Sequence, residues 1–125
     1  MRKFYEKQNK INKKHIKQIE KIFTLNKKKL NPKNSLGAFG LLNEGNEIFS
    51  KKNEIDDKLF DYILMTYTQR FIHYEIASFH SLTHFARRLE KPKVLSILQK
   101  IAIEIKESDL ILSDIISRKL DKELE

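Results

Sequence analysis

The chain contains no cysteine, and only three glycines and two prolines, in 125 residues. Without cysteine there is no disulfide framework, no thiolate metal site and no cysteine nucleophile. So few glycines and prolines leave little room for the many tight turns of a β-rich fold. No apolar run approaches the roughly 20 residues that a membrane-spanning helix needs. The opening M-R-K-F-Y-E-K-Q-N-K is polar almost at once and lacks the apolar centre of a secretory signal, so a cytoplasmic location is expected. Also missing are a Gly-rich phosphate loop, a Gly-x-Ser-x-Gly turn and a recognisable histidine–carboxylate–nucleophile set. Catalysis other than metal chemistry therefore has no support.

What is present points to helices in one domain, residues 1–125. Apolar spacing predicts a first helix from about Lys3 to Asn26, with Phe4, Ile11, Ile16, Ile19, Ile22, Phe23 and Leu25 on its apolar face. Pro32 disfavours helix at the residue before it. A short helix follows over S-L-G-A-F-G-L-L-N-E-G-N-E-I-F, with Ser35 a candidate N-cap. A long helix is expected from about Asp56 to Glu90, and Pro92 suits the start of a last helix reaching about Leu120. Two helices of some 30 residues joined by a short turn make an antiparallel hairpin roughly 45 Å long. Helices this long, joined at Lys91-Pro92, do not fit a helix-turn-helix DNA reader.

The charge is uneven. Residues 1–33 carry 12 Lys/Arg against 2 acids, whereas residues 34–125 carry 13 against 15. The basic character thus belongs to the first helix and the turn after it. Such a segment can meet nucleic-acid backbones or anionic surfaces. No arginine cluster or interleaved aromatic supports base contacts, so a solvated lysine-rich face is the expected reading and nucleic acid is not the expected partner.

Acidic residues interrupt two apolar stripes. In the third helix Tyr67, Phe71, Leu82, Phe85 and Leu89 recur at helical spacing, and Glu75 falls on the same line. In the fourth, Leu98, Ile101, Ile105, Leu112 and Ile116 form the stripe, with Asp109 on it and Glu104 at its shoulder. A carboxylate facing a bundle core needs a proton, a partner or a metal, because burying it bare is very costly. Three histidines, His73, His80 and His84, share a face by steps of seven and four, and the last two form an i,i+4 pair of the kind that can hold zinc. No carboxylate follows at a suitable step, and Arg87 and Arg88 extend the face, so surface or interface histidines are expected.

Three blocks resemble the ferritin-like family typified by the bacterial stress-associated proteins YciE and YciF. They are H-I-K-Q-I-E-K-I-F from His15, S-L-G-A-F-G-L-L-N-E-G from Ser35, and the pair I-H-Y-E-I-A (Ile72–Ala77) and E-I-K-E-S-D (Glu104–Asp109). The resemblance implies a four-helix bundle, commonly dimeric, able to hold two metal ions between its helices. It also implies departures. The family's first helix has no counterpart here, its second-helix histidine and a nearby acid align with Gln8 and Ile11, and two further acids become Ile72 and Ile105. Glu75, Glu104 and Asp109 remain as candidate ligands, for iron or manganese if for any ion. The expected fold is all-α: a ferritin-like antiparallel helical bundle of three long helices and one short, lacking the family's first. The expected role is non-catalytic, an assembly or interaction protein in a stress setting, pairing with itself or with a full-length relative. Residual iron or manganese binding is the alternative.

Overall fold

The computed structural model describes residues 1–33 and 35–124. It is helical, with α1 over Arg2–Leu25, α2 over Leu36–Ser50, α3 over Asp57–Arg88 and α4 over Pro92–Leu124, and a single 3-10 turn at Lys52–Glu54 between α2 and α3. Several boundaries have a local cause. The Ser35 hydroxyl accepts from the Ala38 amide, and Asp56 Oδ2 accepts from the amides of Lys58 and Leu59 at 3.0 and 3.3 Å. Asp57 in the first turn of α3 and Arg87 and Arg88 in its last complement the helix dipole. α1 and α3 end alike. The amides of Lys28 and Lys91 reach back to the carbonyls of Phe23 and Ala86, and Lys27 and Glu90 take a left-handed φ of 53°. That closure usually employs glycine. α4 continues past Leu120 to Leu124 because nothing in R-K-L-D-K-E-L breaks a helix.

The core is the α3–α4 hairpin, with Met65, Ile72, Ile101, Ile105 and Leu112 at its centre. Lys119 meets Asp61 at 2.7 Å, Gln69 meets Ser113 at 2.9 Å and His73 meets Asp109 at 3.0 Å, the opposed numbering of an antiparallel pair. α1 lies mainly along α4, burying Phe4, Gln8 and His15, while Ile16 is exposed rather than on the packed face. α2 lies along α3. Its glycines explain the close approach: a Cβ at Gly45 would fall 2.5 Å from Tyr67 Oη, whereas one at Gly40 would meet open space. Gly40→Ala should therefore stabilise the protein by up to about 1 kcal/mol through helix propensity. Gly45→Ala should cost about 1–3 kcal/mol by overpacking, enough to outweigh the same gain. Thermal melts should rank Gly40→Ala above the parent chain and Gly45→Ala below it.

The α4 stripe packs as its spacing implies, with one refinement: Ser108 takes the buried position between Ile105 and Leu112, and Asp109 sits at the edge. The α3 stripe does not. The side of α3 facing α4 carries Met65, Ile72, Ile76, Phe79 and Ala86, while Leu82, Phe85 and Leu89 are 45, 64 and 67 % exposed. They form a second apolar line, turned away from α4. Among the described residues, no helix is long and apolar enough to cross a membrane.

Candidate functional site

The three retained acids lie in different surroundings. Glu104 on α4 faces α1, where Lys14 Nζ is 2.7 Å from one carboxylate oxygen and His15 Nε2 is 3.4 Å from the other. The Lys14 ammonium holds the Glu104 carboxyl below the usual carboxylate range. Burial pushes the His15 imidazole down, against the pull of Glu104, and its Nε2 closes no hydrogen bond. Asp109 Oδ1 is buried 3.0 Å from His73 Nε2 across the hairpin, close enough for an ion pair but outside hydrogen-bond alignment. Glu75 has no ionic partner among the described residues, and burial pushes its carboxyl up.

Where the family resemblance places two further acids, Ile72 and Ile105 are 3 and 0 % exposed and fill the core with methyl groups. Among the described residues no group of three or more histidines and carboxylates comes together to hold a metal ion. Two of the candidates are instead engaged by cations or histidine on a facing helix, and the third stands alone. The residues present do not fit a two-metal centre, which needs several oxygen ligands converging on each hard cation. No local sequence pattern marks Lys14 and His15 as partners of Glu104. His15 shares a helical face with Ile11 and Ile22, a spacing that could have marked it as inward-facing.

The Glu75 and Glu104 carboxyls should titrate with opposite signs. Glu75 carries a folded value above its unfolded one, so its ionisation subtracts stability as pH rises through that range. Glu75→Gln should stabilise the protein at neutral pH, and the advantage should vanish below the ordinary carboxylate value. Glu104 is depressed, so the stability it contributes is present at neutral pH and lost as pH falls through its folded value. Denaturant unfolding of Glu75→Gln and Glu104→Gln at neutral and acid pH checks both signs.

The larger feature is a groove on the α1–α3 side. Ile19, Ile22 and Phe23 of α1 face Phe79, Leu82, Phe85 and Leu89 of α3 across a hollow of about 670 Å³, floored by Val94 and Leu98 of α4. Nearer the start of α1, Tyr5, Leu64, Tyr67 and Thr68 border a second hollow of about 640 Å³. By helical phase Phe71 and Glu75 fall between Tyr67 and Leu82 along α3. The Leu82–Leu89 end of the α3 stripe lines this groove, while Tyr67 at its other end meets α2.

An all-helical antiparallel bundle whose acids line the helix interfaces defines the class. The chain belongs to the family described as a domain of unknown function, DUF892, whose model matches residues 1–125, and it is a YciF-like member of this ferritin-like group. It is 33 % identical over 88 residues to Protein YciF of Escherichia coli (strain K12), an alignment covering 69 % of this chain and 51 % of that protein. The chain thus spans about half the length of that curated relative.

Proposed function

We propose that this chain is a non-enzymatic, cytoplasmic assembly protein, in which the α1–α3 groove receives a helix from a second copy or from a family relative. The exposed line Leu82, Phe85, Leu89 along that groove carries the reading. Contiguous apolar surface of this kind marks interfaces, and a covering helix would turn three long helices into an even bundle. A role in stress response rests on the family resemblance alone. Iron or manganese binding is the second reading, favoured only by the unpaired Glu75 and opposed by Ile72, Ile105 and the pairing of the other two acids.

Size-exclusion chromatography with light scattering tests assembly. The expected mass is twice 14.9 kDa at micromolar concentration. A monomer that persists as concentration rises would count against self-assembly.

A further inference from the structure

We infer that His80 and His84 form a surface chelate for one borderline transition-metal cation of the Zn²⁺, Ni²⁺ or Cu²⁺ type, independent of the retained carboxylates. The two imidazoles stand on successive turns of α3, both exposed, with perpendicular rings and centroids 4.6 Å apart. Their Nε2 atoms lie 3.1 Å from each other. That separation is the bite of a chelate. Two nitrogens at zinc–imidazole distance lie about 2.9 Å apart at a right angle and about 3.3 Å apart at the tetrahedral angle. Without metal, one Nε2–H donates to the other ring's Nε2 lone pair; when a cation binds, the donor ring takes its Nδ1–H tautomer, so both Nε2 lone pairs face the ion. The helix backbone fixes the spacing, so little ordering is needed on binding.

The chemistry narrows the ligand. Imidazole donors suit zinc, nickel and copper, and magnesium and calcium prefer oxygen. Arg87 and Arg88 follow on the next turn, so no local negative charge recruits hard cations nonspecifically. With two protein ligands, the remaining positions fall to water or to a second molecule, which makes the site exchangeable rather than structural. Its place on the helix also matters. His80 is roughly 160° around α3 from Leu82, so the chelate stays open when the apolar groove is covered.

The test is zinc chloride or nickel chloride titrated calorimetrically into chelator-washed full chain. One ion per chain is expected, with a rise in melting temperature that follows metal concentration. His80→Ala and His84→Ala, both exposed, should each weaken binding by about tenfold or more, the loss of a tethered second donor. Glu75→Gln and Glu104→Gln should leave affinity unchanged. Circular dichroism of each variant establishes that the helices persist. Undiminished binding in the His80→Ala/His84→Ala double variant would overturn the inference, as would affinity that tracks Glu75 or Glu104 instead.

Discussion

Ile105→Ala is expected to destabilise the protein by about 2–5 kcal/mol, because it opens a cavity at a position with no exposure and few routes to collapse. Ile105→Glu should be worse than alanine. It places a carboxylate in the apolar cluster of Met65, Ile72, Ile101 and Leu112. The Ile72→Glu/Ile105→Glu double variant, which installs the acids that the family resemblance implies, would bury two like charges in one core. Urea unfolding at neutral pH measures all three. A double variant that folds as well as the parent would mean that the interior still accommodates charge, and with it a centre that these two isoleucines are argued to exclude.

The same kind of substitution on the other side of the hairpin should have the opposite consequence. Leu82→Glu/Phe85→Glu puts two acids at positions already exposed, and exposed positions away from special features tolerate change to within about 0.5 kcal/mol each. The isolated fold should survive. Assembly should not, since two charges would then have to be desolvated in the groove beside Phe79 and Leu89. The expected signature is twofold: the light-scattering mass halves, and the melting temperature loses the dependence on protein concentration that an assembling chain shows. A double variant that keeps the parent mass would move the interface off this groove.

Much of this architecture was legible in the sequence, and the limits have physical causes. Ser35, Asp56 and Pro92 act within one turn of themselves, so helix starts could be placed to within about two residues. The α4 stripe was legible because that helix packs mainly through one line, Leu98 to Leu112. α3 is harder. It is apolar on two sides, toward α4 through Met65, Ile72 and Phe79 and toward the groove through Leu82 and Phe85. Periodicity tells which residues share a face but not which face meets a partner. The contact of Glu104 with Lys14 and His15 crosses about 90 positions, and no local pattern encodes it. What the sequence carries about the site is Ile72 and Ile105 at positions where the family resemblance implies acids, and both isoleucines are buried in the core.

Elemental analysis after loading with ferrous iron or manganese, followed by desalting, tests the central claim most directly. These two cations suit carboxylate oxygen and sit at the weak end of the affinity order for nitrogen ligands, so the His80–His84 pair adds little to the reading. An assembly protein with a depleted carboxylate set should retain neither metal in stoichiometric amount while remaining folded and associated. Retention of about two ions per chain, the complement of a bridged centre, and its loss in Glu75→Ala or Glu104→Ala, would contradict the account and establish a metalloprotein.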